Sequence, residues 1–296
     1  MPRTAHVTHR SANRPVVVGV DGSEAALRAV DWAADEAALR GAPLRIVYAS
    51  LWERYEEAAP AGETVAPPKA VGARVFVETA ARRVADRRPE VRITTLVPPE
   101  DPEYALVRES GLAGVVVVGC RGRGGVTETL LGSVSLAVAG HAHCPVVVVR
   151  GDRYDAPANG VVLGIGTGPE ATVTQRFAVE EAYLREVPLD AVRAWRHPRR
   201  AAGHPLLTGE PAHFEQRQAT ELLEEALGET PSDLKVERHR IEGRARDALL
   251  ELSHGADLLV VGARRRHGRF GLQLGRVTYG VLHRAACPVA VIPELS

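Results

Sequence analysis

Four positions with fixed spacing carry the clearest chemistry in this 296-residue chain: Gly119, then two residues to Gly122, then nine to the pair Gly132-Ser133. Glycines in a turn let the backbone adopt positive φ and let a ligand approach the main chain without meeting a Cβ. Successive exposed N–H groups in such a turn make an anion nest, and a helix starting at Gly132-Ser133 points its free N–H groups the same way. That is chemistry for holding phosphate. A carboxylate, Asp21 in Asp21-Gly22-Ser23, stands at the end of a separate apolar run, Pro15 to Val20. A phosphate cradle and a carboxylate at neighbouring strand ends suit a nucleotide.

Those groups need strands to place them. Val115-Val116-Val117-Val118 and Val16-Val17-Val18 are continuous apolar runs, the pattern of strands buried on both faces. In an open parallel sheet, ligands bind outside the carboxyl ends of strands where the strand order reverses. Two other phosphate motifs are absent. The chain has no G-x-x-x-x-G-K-[ST], and G-x-G-x-x-G read from Gly122 fails at Thr127, on a turn that follows a late strand.

The chain also repeats itself. Cys144-Pro145-Val146-Val147-Val148-Val149 returns as Cys287-Pro288-Val289-Ala290-Val291-Ile292. Ala113 to Gly119 returns as Ala256 to Gly262, Gly132 as Gly275, and Val17-Val18-Gly19-Val20 as Val162-Leu163-Gly164-Ile165. One α/β unit is therefore duplicated in tandem. The expected organisation is a flexible N-terminus over 1–14, a first domain over 15–150, a Gly/Pro-containing polar linker over 151–159, and a second domain over 160–296. Within the first copy a helix is expected near Glu24 to Arg40, stopped by Gly41, with Pro169 opening its partner helix in the second copy. Second strands are expected at Leu44 to Ala49 and Leu189 to Trp195, and third strands at Val91 to Val97 and Lys235 to Glu242. Strands alternating with helices imply parallel sheets with helices on both faces.

Composition excludes several classes. With 37 basic and 37 acidic residues the formal net charge is zero, which argues against bulk attraction to nucleic acid or anionic membrane. No apolar run reaches the ~20 residues of a membrane span, and the basic start has no h-region behind it. Three cysteines without framework spacing point to the cytoplasm. Cys144 and Cys287 read as small buried residues before core strands. His141-Ala142-His143-Cys144 has no second ligand group at zinc spacing, so no metal is expected there. Trp52 and Trp195 follow the second strands, near the expected cleft mouth.

On these residues the chain resembles a tandem universal stress protein of the actinobacterial type. VVVGVDGS over 16–23 is similar to that family's opening strand and aspartate, and Gly119-x2-Gly122-x9-Gly132-Ser133 fits its ATP-binding pattern. The resemblance implies two Rossmann-like domains, each a five-stranded parallel sheet flanked by helices, with ATP, with or without Mg2+, between strands one and four. It places Asp21 at the adenosine end over Gly19, and Ala49 in the adenine pocket. Backbone from Gly119, Cys120, Arg121, Gly122 and Arg123 would wrap phosphates and ribose. Gly132, Ser133, Val134 and Ser135 would bind phosphate oxygens through N–H groups, helped by the Ser133 hydroxyl. Pairing through the last strands, Val146 to Val149 and Val289 to Ile292, would make an intramolecular pseudo-dimer and a homodimer.

The second copy departs from the pattern: Asp21 becomes Gly166, Gly122 becomes Arg265 and Ser133 becomes Arg276. An arginine does not enter a positive-φ turn cheaply, so one intact ATP site is expected, in the first domain. The basic loop of the second copy offers Arg264, Arg265 and Arg276 as a candidate anion site acting through side chains. The expected function is a nucleotide-responsive stress or dormancy regulator. It is not expected to be an enzyme, because no His-x-Gly-His motif and no set of metal-holding carboxylates accompanies Asp21. Slow ATP hydrolysis and a non-catalytic dimerisation or scaffold module are the alternatives.

Overall fold

The computed structural model describes residues 14–50, 68–122, 131–151, 159–167, 171–196, 210–228, 230–263, 265–268 and 271–293. The chain divides into two compact units between Val149 and Arg150. In the first, β1 (Val16–Gly19), α1 (Glu24–Arg40), β2 (Leu44–Val47), α2 (Pro68–Arg87) and β3 (Ile93–Leu96) are followed by α3 (Pro102–Ser110), β4 (Val115–Gly119), α4 (Ser133–His141) and β5 (Val146–Val149). Its strands lie in the order β3-β2-β1-β4-β5, all parallel. The chain thus winds to one side of β1 first and returns to the other side through β4. This reversal between β1 and β4 is where an open α/β sheet forms its crevice.

The second unit repeats the plan with β6 (Val161–Gly164), α5 (Ala171–Leu184), β7 (Leu189–Trp195), α6 (Glu210–Leu227), β8 (Val236–Glu242), α7 (Ala245–Leu252) and β9 (Leu258–Ala263). After β9 come two short strands, β10 (Arg265–Gly268) and β11 (Gly271–Leu274), then α8 (Arg276–Arg284) and β12 (Val289–Pro293). The parallel order is β12-β9-β6-β7-β8. Each unit is therefore an α/β layer fold with a five-stranded parallel sheet among the described residues, as the alternation of elements required.

Valine runs supply the cores. Val115 to Val118 and Val146 to Val149 are buried along their whole length. Burying such a side chain contributes about 1.5–3 kcal/mol, and β-branched residues are already stiff in the extended state. The helix that follows β1 is tightly bounded. Ser23 caps it by accepting from the Ala26 N–H at 3.2 Å, and Gly41 ends it in the left-handed region at φ 59°. Helix α2 is tied to α1 by Arg83, which grips both oxygens of the buried Asp31 at 2.5 and 2.6 Å. A second signature of duplication lies in the first helices: fully buried Glu36 pairs with Arg40, and fully buried Glu181 pairs with Arg185, one turn along each helix. Removing one partner of such a pair would leave an uncompensated buried charge.

The elements match the expected order; β7 has the expected bounds, while β2, β3 and β8 are shorter than expected. The third strands have few buried side chains, and β3 spans only Ile93–Leu96. Pro169 lies outside the described residues; α5 is seen from Ala171. No helix of the described residues is long and apolar enough to cross a membrane.

Candidate functional site

The β1–β4 crevice of the first unit is a cavity of about 430 Å3. Its floor is the ends of β1 and β4 with Gly19, Val20, Val118 and Gly119. One wall is Asp21 and Ala26, another is Val47 and Ala49 after β2, and Pro102 and Leu106 of α3 close the apolar side. Arg121, Gly122, Leu131, Gly132, Ser133, Val134 and Ser135 complete the rim. A flat apolar ring fits the first part of this lining, and an anion fits the last.

The turn after β1 is built by Gly22, whose φ of 81° is a conformation an L side chain rarely adopts. It brings the Ser23 N–H to Asp21 Oδ1 at 2.9 Å, an Asx turn that fixes the carboxylate. The glycines after β4 serve a different purpose from the one their spacing suggested. Among the described positive-φ glycines, neither Gly119, Gly122 nor Gly132 appears. A Cβ at Gly119 would lie 2.7 Å from the Ala25 carbonyl group, and one at Gly122 would lie 2.6 Å from Asp21 Oδ2. Close approach selects these glycines: Gly119 lets the strand end touch α1, and Gly122 makes room for the Asp21 carboxylate. The expectation that an arginine is disfavoured at 122 for its φ is corrected: the φ there is ordinary, and a side chain would instead meet the Asp21 carboxylate, which must shift to admit it.

Helix α4 begins with Gly132 as its N-cap, extended at φ −68° and ψ 152°, with no side-chain cap. Its first i→i−4 bond is Leu136 N–H to Gly132 O at 3.0 Å. The N–H groups of Ser133, Val134 and Ser135 therefore have no acceptor within the helix, and all three residues line the cavity. With the helix dipole behind them they form a ready anion site. The start of α4 is anchored from below: Ser135 Oγ donates to Gly119 O at 2.7 Å, and the Gly132 N–H donates to Cys120 O at 2.9 Å.

That anchoring separates the expected site residues. Gly19, Asp21, Ala49, Gly119, Arg121, Gly122, Gly132, Ser133, Val134 and Ser135 all border one cavity. Cys120 does not: it is buried, and its N–H is held by Val149 O at 3.0 Å in the sheet. Gly132 contributes its position and not its N–H, which is already donated. Arg123 lies outside the described residues, as does Trp52. The apolar wall of Ala26, Val47, Pro102 and Leu106 was not anticipated, because no motif marks it; an amphipathic reading of α3 would have found Leu106.

The second unit keeps the frame and changes the contents. Gly275 caps α8 at φ −60° and ψ 152° without a side-chain bond, and Thr278 Oγ1 donates to Gly262 O at 2.9 Å. Leu249 stands over Gly164 as Leu106 stands over Gly19, 3.1 and 2.8 Å from the respective Cβ positions. Gly166, however, offers no carboxylate. The basic segment contains an antiparallel hairpin, Arg265 pairing with Leu274 and Gly268 with Gly271, so Arg265 sits in a strand and not in a turn. Arg276 is the exposed first residue of α8, and Arg264 is outside the described residues. Arg193, absent from the expected set, donates from Nη1 to Ile165 O at 3.0 Å at the end of β6, and burial lowers its guanidinium below the ordinary value.

Cys144, Cys287, His141 and His143 are not among the residues that line the cavity. Burial pushes the Cys144 and Cys287 thiols up to about 12. His141 Nδ1 is hydrogen-bonded to Ala137 O at 2.9 Å near the end of α4, and the His143 N–H is held by Ser110 Oγ at 2.9 Å.

Comparison with known proteins agrees with this picture. The model of the "Universal stress protein family" matches residues 12–150 and again 159–293. A universal stress protein of Mycolicibacterium smegmatis (strain ATCC 700084 / mc(2)155) is 35% identical over 292 residues, covering 94% of this chain and 96% of that protein. One from Mycobacterium tuberculosis (strain ATCC 25618 / H37Rv) is 32% identical over 315 residues, covering 96% and 97%. Among solved structures, a universal stress protein from Archaeoglobus fulgidus DSM 4304 is similar in fold, with TM-score 0.70 and 16% identity over 96% of this chain and 99% of that one.

Proposed function

The chain belongs to the universal stress protein family, and on that premise we propose that its first unit binds an adenine nucleotide, ATP, in the β1–β4 cavity. The observation that carries the reading is the convergence of three uncommitted N–H groups, from Ser133, Val134 and Ser135, on the same cavity as the fixed Asp21 carboxylate. Phosphate oxygens take the helix N-terminus and the rim at Arg121 and Gly122. The base lies against Ala26, Val47, Ala49 and Leu106, and Asp21 accepts from the adenosine end. Mg2+, where it accompanies the nucleotide, rides on the phosphates.

The protein works as a nucleotide-responsive regulator in the cytoplasm, and not as an enzyme. Hydrolysis needs an aligned nucleophile and charge stabilisation on both sides of the transferred group. Asp21 is the one acid bordering the cavity among its described lining, and it is already turned onto the Ser23 N–H. The second unit, lacking the carboxylate and carrying the hairpin, serves as a scaffold domain; any anion it takes is held through Arg276 and its neighbours.

The test is nucleotide content. Freshly purified protein is denatured and the released nucleotide quantified by chromatography; a separate folded sample, freed of nucleotide, is titrated with ATP by calorimetry. About one ATP per chain, lost in Gly122→Arg, is the expected result. Nucleotide retained in that variant, or no binding by the wild type, sinks the reading.

A further inference from the structure

The edge of the second unit's sheet carries a set of donors that the nucleotide reading does not use. Strand β8 ends the order β12-β9-β6-β7-β8 and pairs with β7 so that Asp190 stands opposite Glu237 and Val192 opposite His239. Alternation along β8 sends its side chains to opposite faces. Arg238 and Arg240 reach α6, at Glu224 (3.4 Å) and Thr220 Oγ1 (3.4 Å). Glu237 and His239 therefore project on the face away from α6, where Asp190 meets them. His239 Nε2 is 2.6 Å from Asp190 Oδ1, and one donor atom from each of Asp190, Glu237 and His239 lies within 4.8 Å of the others.

The geometry points to a divalent transition-metal site of the zinc type, made by His239 Nε2 with one oxygen each from Asp190 and Glu237. Zinc takes imidazole nitrogen and carboxylate oxygen at about 2.0–2.2 Å, and three protein ligands with a water in the fourth place is one of its ordinary arrangements. Tetrahedral ligands at those lengths stand roughly 3.3–3.5 Å apart. Closing the three donors on an ion therefore needs only side-chain rotation, while the paired strands hold the backbone. The imidazole separates this set from a plain acidic cluster: it favours zinc-like ions over Mg2+ and Ca2+, which prefer all-oxygen shells. Binding exchanges the His239–Asp190 hydrogen bond for two metal bonds. It must also compete with Lys235, whose Nζ lies 2.7 Å from Glu237 Oε1. An ion here clips the edge strand β8 to β7.

The full chain, stripped with a chelator and exchanged into metal-free buffer, is titrated with ZnCl2 by calorimetry and followed by thermal unfolding. One zinc per chain in the micromolar range is expected. Affinity should fall at least tenfold in His239→Gln and in Asp190→Asn, and tighten in Lys235→Gln, which leaves the donors whole and removes the competitor. Zinc should raise the unfolding midpoint of the wild type and not that of His239→Gln, since an ion bound only by the folded state stabilises it. Binding unchanged in His239→Gln means that other histidines hold the ion, and overturns the assignment; so does an absence of binding by the wild type. Lys235→Gln binding no tighter than the wild type removes Glu237 from the site.

Discussion

The two crevices, one at β1–β4 and one at β6–β9, share a backbone and differ in what faces the ligand space. Both have a helix start capped by an extended glycine with ψ 152°, a hydroxyl bonded to the carbonyl of the preceding strand end, and a leucine over the glycine of the first strand. The first holds a carboxylate and a glycine that accommodates it; the second has Gly166, Arg265 in a strand, and Arg193 reaching the end of its first strand. Groups that hold the fold together are present in both copies, and the groups to which the nucleotide proposal assigns ligand contacts are present in one. The shared groups thus mark what the fold needs, and the differing ones mark where the two units' chemistry parts.

The largest effect should come from giving the first crevice a residue of the second. Gly122→Arg puts a Cβ 2.6 Å from Asp21 Oδ2, so that the carboxylate must move, and adds a guanidinium at the cavity rim. ATP affinity should fall at least a hundredfold, about 2.8 kcal/mol, by calorimetry. Asp21→Ala removes a charged acceptor, whose hydrogen bonds contribute about 1.5–3 kcal/mol, so a loss of roughly ten- to a hundredfold is expected in the same titration. Ser135→Ala and Thr278→Val test the structural half: each deletes a hydroxyl bond to a strand carbonyl, buried at Gly119 and part-buried at Gly262, and should cost about 0.5–3 kcal/mol of stability. The two should act alike on thermal unfolding, whereas only Ser135→Ala should weaken ATP binding, and by a few-fold. Smallest of all, Arg265→Gly should leave the ATP affinity of the first unit unchanged. A shift there would mean that the hairpin influences the intact crevice.

Much of this was legible in the sequence because it rests on local physics. Valine runs became strands, Gly41 stopped α1, and the spacing from Gly119 to Ser133 marked the rim of one cavity. The reasons were less legible than the positions. Gly119 and Gly122 are required by contacts with Ala25 and Asp21, partners about a hundred residues away that spacing does not reveal. Cys120 falls inside the motif yet spends its N–H on Val149, because the residue just past β4 still completes the sheet's ladder before the loop begins. The β10–β11 hairpin escaped notice because its arginines, histidine and glycines carry no apolar alternation. Asp190 and His239 are brought together only by the register of two strands.

Cys144 and Cys287, each placed just ahead of the last strand of its unit, have a consequence for life under oxidative conditions. With burial pushing their thiols up to about 12, both stay protonated at neutral pH. Peroxide and disulfide reagents attack the thiolate, so these two sulfurs present almost no nucleophile while the fold is intact. While the fold is intact, an oxidant therefore meets these two cysteines as inert, buried apolar residues.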